Sequence, residues 1–164
     1  VTTDPSHPDL GARVEQTYWR HMATWRPEDW VLPFTVLREG ALLGVQALAG
    51  KDFSVRRVVD SYSWLVTGAR GQGVGKQMRA AVLELAFRGL GAAYAVSEAY
   101  ADNAASLGVS RALGYGPNGF GVEKRDDGSG PVRMEHVVLA AADWHPPWPV
   151  EIGGLEPCLP LLGL

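Results

Sequence analysis

The sequence predicts an α+β domain, a mixed and mostly antiparallel sheet flanked by helices. Three observations carry this. Leu10, Val14, Tyr18 and Met22 recur at the spacing of one helical face; two apolar runs, Trp30 to Leu37 and Ala41 to Ala49, are parted by the turn-sized Arg38-Glu39-Gly40; and a strand-like run passes through a glycine-rich turn into a second amphipathic segment.

The first helix extends from Pro8 to about Thr24, before Pro27, and an antiparallel hairpin follows it. A third strand is expected over Val55 to Val66, where Val58, Val59, Tyr62 and Trp64 suit a pleated surface. Val74, Met78, Ala81, Val82, Leu85 and Ala86 mark one face of the next helix, which stops at Gly89. A short strand covers Ala92 to Ala99. Asp102 or Asn103 caps a further helix, with Leu107, Val109 and Leu113 turned inward and Gly114 as its stop. Two last strands, Phe120 to Arg125 and Val132 to Leu139, flank the turn from Asp126 to Pro131. These elements make one domain over residues 1–139. Residues 140–164 hold Pro146, Pro147, Pro149, Pro157 and Pro160 and read as an arm laid over the domain or a neighbour, since Trp144, Trp148, Ile152 and Leu155 need cover.

Composition narrows the function classes. The chain has 164 residues, 46% of them hydrophobic, with 15 Lys+Arg against 18 Asp+Glu for a net charge of −3. That is a folding composition, and it lacks the basic field that gathers nucleic acid or an anionic membrane surface, so neither partner is expected. Cys158 is the single cysteine, and His7, His21, His136 and His145 show no metal-ligand spacing, so no metal is expected. The opening residues have neither a basic nor an apolar leader region, and no run of about 18 apolar residues occurs, which predicts a cytoplasmic protein.

The stretch from Trp64 to Lys76 carries the chemistry. Gly71, Gly73 and Gly75 let a backbone approach a ligand closely, and the free amides of the helix start favour an anion such as a pyrophosphate. The phosphate-loop pattern of nucleoside triphosphatases fails, because Arg70 stands where its first Gly is required and Gln77 replaces the magnesium-holding Ser or Thr. The dinucleotide fingerprint fails as well, since its third Gly would fall at Lys76. A plain chain-reversing turn is the remaining reading from this segment alone.

Arg70-Gly71-Gln72-Gly73-Val74-Gly75 fits Arg/Gln-x-x-Gly-x-Gly/Ala, and in that form the sequence resembles the acyl-CoA-binding motif of GNAT-superfamily N-acetyltransferases. Asn103 to Ser106, on a helix ending at Gly114-Tyr115, is similar to the family's second signature, about thirty residues downstream. Ser106 and the Ala86-Phe87 ending of the preceding helix are most similar to the RimJ/RimL-like, ribosomal-protein-acetylating branch. The resemblance covers roughly residues 33–139. Members normally open with a further strand and helix, and this sequence reads as starting after them.

The resemblance implies transfer of an acetyl group from acetyl-CoA, a co-substrate, to a primary amine by direct attack on the thioester. It implies a pyrophosphate over Arg70, Gly71, Gln72, Gly73, Val74, Gly75 and Lys76, pantetheine contacts from Asn103 and Ser106, and unpaired amides at Leu65 and Val66 facing the thioester oxygen. Asp60 and Glu98 are the candidate bases, each also readable as an ordinary sheet carboxylate. Ser110 stands where many members place a thiolate-protonating Tyr, and Ser106 is the other hydroxyl candidate. Tyr115 reads as packing and His136 as structural; Trp19, Trp25, Trp30 and Trp64 line either the core or an acceptor pocket. A non-catalytic acyl-CoA-binding domain, or use of another donor such as succinyl-CoA, stays open. The uncovered arm and sheet edge predict a homodimer.

Overall fold

The computed structural model describes residues 10–125 and 128–164, so Asp126 and Asp127 of the last expected turn lie outside it, as does the segment 1–9. Helix α1 (Leu10–Ala23) is followed by β1 (Asp29–Arg38) and β2 (Ala41–Lys51). Glu39 and Gly40 both take positive φ, 52° and 81°, the backbone of a two-residue turn whose twist matches the paired strands. Next come α2 (Phe53–Arg56), β3 (Val58–Leu65), α3 (Val74–Glu84), β4 (Tyr94–Tyr100), α4 (Ala104–Ala112), β5 (Gly116–Lys124) and β6 (Pro131–Ala140). The six strands lie in the order β1-β2-β3-β4-β6-β5. Only β3 and β4 run parallel; the other neighbours are antiparallel. The architecture is the α+β class expected.

Local departures have physical causes. The third strand starts at Val58 rather than Val55, because Phe53 is fully buried at the head of a helical turn and Arg57, at φ 51°, redirects the chain after it. Beyond Glu84 the helix continues to Gly89 as a wider turn, with the Leu90 amide donating to the Leu85 carbonyl, five residues back. The inward side of α3 is broader than its apolar stripe: Arg79, Ala80, Leu83 and Glu84 are buried while Ala81 is only partly so. Polar Glu84 tolerates this because it accepts from Trp144 Nε1–H at 2.8 Å and lies 3.1 Å from Arg88.

Of the α1 stripe, Val14 and Met22 are exposed instead of buried and Tyr18 is half-buried. Trp30 belongs to the core, whereas Trp19 and Trp64 are exposed. Trp144 and Leu162 of the C-terminal segment are buried in the main core, and Trp148, Leu155, Leu159 and Leu164 pack against it. Ile152 is more open.

Candidate acyl-transfer site

Strands β3 and β4 pair for three residues only, Val58 with Tyr94, Val59 with Ala95 and Asp60 with Val96. Beyond that point each follows its other neighbour, β3 staying with β2 as far as Leu65 and β4 with β6 as far as Tyr100. The result is a gap in the sheet that widens toward the C-terminal ends of both strands. Because the two strands are parallel, the helices that follow them, α3 and α4, both begin at the open end.

At the start of α3 Gly73 is the cap residue, with φ 80° and no capping side chain, and Gly71 has φ 72°. A Cβ at either position would meet no protein atom, so both glycines serve the backbone conformation and leave open space above the loop. The amides of Val74 and Gly75 have no acceptor within the helix and are available to an anion. Gln72 braces this loop by donating to the Gly68 carbonyl at 2.6 Å and accepting from Arg38 at 3.3 Å. Arg70 is exposed, and its Nε–H donates to the Leu65 carbonyl at 3.1 Å; Lys76 is half-buried.

Of the two amides expected to face a thioester oxygen, Val66 is already engaged, donating to the Leu43 carbonyl at 2.9 Å. That bond extends the antiparallel ladder with β2, in which successive N–H groups point to opposite edges. The Leu65 N–H therefore faces the gap.

On the far side of the gap, Asn103 caps α4 by accepting from the Ser106 amide at 3.1 Å. Ser106 is half-buried one turn in. Ser110 is buried, and its hydroxyl donates to the Ser106 carbonyl at 3.2 Å, so it is turned back into its own helix instead of toward the gap. Tyr115 is buried beneath the sheet, in keeping with a packing role.

An open cleft of about 170 Å³ lies where the strands part, lined by Asp60, Val96, Ser97, Glu98, Asn118, His136 and Val137. It brings the two expected carboxylates to one place. Burial in the cleft raises the pKa of Asp60, and Glu98 raises it further, while the Ser61 amide, donating at 2.7 Å, and Arg79 pull the other way. Asp60 is nevertheless exposed as a residue, at the open cleft that it lines. His136 Nε2 stands 3.5 Å from Glu98.

His136 and Asn118 were not legible as site residues. His136 is placed by its register opposite Glu98, and Asn118 by an irregularity in β5 between Pro117 and Phe120. His21 of α1 is a further unforeseen neighbour: its ring lies 6.5 Å from that of Tyr62 on β3, and burial lowers its pKa. Tyr62 is pushed up to about 12 by burial, by Tyr18 and by Asp60.

A glycine loop at a helix start, parted parallel strands and a carboxylate cleft at their junction form one arrangement, and residues 3–116 match the acetyltransferase (GNAT) domain family. The chain belongs to that family. Among solved structures, this GNAT domain is similar to spermidine N-acetyltransferase from Vibrio cholerae in complex with CoA and spermine, with a TM-score of 0.68, 13% identity, and coverage of 86% of this chain and 80% of that one. A dodecameric structure of spermidine N-acetyltransferase from Vibrio cholerae in an intermediate state matches with a TM-score of 0.66 and 14% identity over 80% of this chain and 74% of that one. At such identities the likeness is one of fold, and it agrees with the sheet and helices of the GNAT domain described above.

Proposed function

We propose that this protein is an acyl-CoA-dependent N-acyltransferase that moves an acyl group, acetyl in the simplest case, onto a primary amine carried by a cationic molecule or a protein N-terminus. The observation that carries this is the parting of β3 and β4 after three paired residues, which opens the Asp60–Glu98 cleft where they separate and sets the glycine loop at the start of α3, beyond the end of β3. Pyrophosphate binds over Arg70 to Lys76 and the pantetheine passes the start of α4, near Asn103 and Ser106. The acyl carbonyl receives the Leu65 N–H, which stabilises the oxyanion as charge develops.

The acceptor enters through the cleft of Asp60 and Glu98, whose charge suits a protonated amine, and the CoA and spermine complex of the Vibrio enzyme supports an acceptor of that class. Attack requires the neutral amine. Asp60 accepts the proton directly or through water, and its raised pKa brings it nearer the working pH of a general base. The amine nitrogen then bonds to the acyl carbon as the C–S bond breaks. With Ser110 turned away, the thiolate takes its proton from water, which a thiol pKa of about 8.5 permits without a side-chain acid.

A thiol-release assay with acetyl-CoA and a panel of polyamines and peptides tests this reading. Association into a homodimer is part of the same proposal, since β1 and β5 are free sheet edges and carry exposed Phe34, Leu37, Phe120 and Val122. Sedimentation at micromolar concentration reads it directly.

A further inference from the structure

The glycine loop at the start of α3 is met by a cation from a distant part of the chain. Pairing of β3 with β2 ends at Leu65 opposite Gly44, yet β1 and β2 run on together to Arg38 opposite Ala41, so the tip of their hairpin overhangs β3. The register shifts between Val36 and Leu37 and leaves Leu43 as the extra residue, a bulge that increases the twist and re-aims the side chains beyond it. The Leu43 carbonyl also takes the Val66 amide, which ties the hairpin to the chain leading into the loop. From the tip, Arg38 Nη1 reaches the loop and donates to Gln72 Oε1 at 3.3 Å.

That bond leaves most of the guanidinium unused. Arg38 is exposed and takes part in none of the ion pairs of the described residues. Its side chain has five N–H donors, and the uncharged amide oxygen of Gln72 answers one of them. Arg70 stands in the same loop, tied by its Nε–H to the Leu65 carbonyl, and Lys76 follows in the first turn of α3. Acids are scarce around them. The sequence has no Asp or Glu from Ser61 to Leu83, and Glu39 is the single one between Asp29 and Asp52. A chain with a net charge of −3 thus gathers three cations about one loop.

A pyrophosphate accounts for two of them. The amides of the helix start, Arg70 and Lys76 suffice for a doubly charged pyrophosphate, which leaves Arg38 in excess. CoA carries one more anion, the phosphate monoester on its ribose, with about −1.5 to −2 charge at neutral pH. The strand order gives the direction. The pantetheine runs into the gap on the β4 side of β3, whereas Arg38 comes from the hairpin on the β2 side, so the nucleotide end leaves the loop toward Arg38.

We propose that Arg38 binds the 3′-phosphate of the CoA ribose, with Gln72 holding the guanidinium beside the loop. The inference rests on the acyl-CoA reading above. The planar fork of an arginine engages two phosphate oxygens at once, which a point charge does not. The contact changes no bond. It selects a free CoA thioester over an acyl group held on a phosphopantetheine arm, which has no such phosphate.

Calorimetric titration of the full chain with acetyl-CoA and with acetyl-3′-dephospho-CoA tests the proposal without an acceptor. The wild type is expected to bind acetyl-CoA about tenfold more tightly than the dephospho compound. In Arg38→Met this ratio collapses toward one, because affinity for acetyl-CoA falls while that for the dephospho compound holds. Arg38→Lys keeps the charge without the fork and restores part of the ratio. Arg38 is exposed at a hairpin tip, so the far-ultraviolet circular dichroism of both variants stays that of the wild type. Equal binding of the two compounds by the wild type, or an equal loss for both in Arg38→Met, overturns the assignment to the 3′-phosphate and leaves acyl-CoA binding intact. Absence of binding by either compound overturns the acyl-CoA reading and this proposal with it.

Discussion

The Ser97 hydroxyl donates to the Ser61 carbonyl at 3.0 Å, joining β4 to β3 just past their last paired residues. It is a side-chain bond where the ladder between these strands has ended, and it is buried. Ser97→Ala leaves the Ser61 carbonyl and Arg79 Nη1 without that partner, and the expected loss is about 1–3 kcal/mol of stability. Urea unfolding should show a lower midpoint at an unchanged slope.

The glycine loop gives a prediction about binding rather than folding. Gly73 has φ 80°, and a Cβ there points into space that no protein atom fills. Gly73→Val strains the backbone by about 1–3 kcal/mol and projects a branched side chain at the path of the pyrophosphate. CoA affinity should fall by more than tenfold while the far-ultraviolet circular dichroism stays that of the wild type, as titration of both proteins will read.

Asp60 yields two pH effects whose signs differ in origin. Its pKa is raised in the folded protein, so between the ordinary carboxylate value and the raised one the folded state holds more protons than the unfolded state. Stability therefore falls as pH rises through that window and stays lower above it. Asp60→Asn removes this penalty and should raise the melting temperature at neutral pH, with the gain vanishing below about pH 4. Activity moves the other way: the variant should lose about a hundredfold or more in kcat/KM at neutral pH and recover in part at high pH, where the acceptor amine is already neutral. Parallel pH–rate profiles for the two proteins would remove Asp60 from the base role.

Trp144 ties the C-terminal segment to α3 through its buried ring and the 2.8 Å bond to Glu84. Trp144→Ala should cost about 3–5 kcal/mol by leaving a cavity. Trp144→Phe keeps most of the ring but leaves Glu84 with Arg88 alone, for an expected loss of about 1–3 kcal/mol. Thermal or denaturant unfolding of the pair separates packing from the hydrogen bond.

Much of this was readable in the residues, and what was not has a common cause. The hairpin at Glu39-Gly40, the glycine loop at Gly71 to Gly75 and the Asn103 cap are local, and each is written in a few adjacent side chains. Pairing between distant strands is not. His136 enters the cleft because β6 sets it opposite Glu98, and Val66 loses its free amide because the β2 ladder runs one residue past the end of β3. Arg79 lies outside the apolar stripe read for α3, and its burial comes from tertiary packing, where its Nη1 donates to Ser97 Oγ on β4. The open stripe of α1 is the reverse case, a helical period with no cover over Val14 and Met22 among the described residues.

The central claim is transfer of an acyl group from CoA to an amine at the junction of β3 and β4. Its most direct test is one incubation of the wild type with acetyl-CoA or succinyl-CoA and a panel of polyamines and peptides, with released thiol and acceptor mass followed together. The account predicts one thiol for each acyl group gained by an amine, at a rate cut sharply by Gly73→Val and by Asp60→Asn. Tight binding of the thioesters with no acceptor acylated at any pH would contradict it and make the domain a binding module for acyl-CoA.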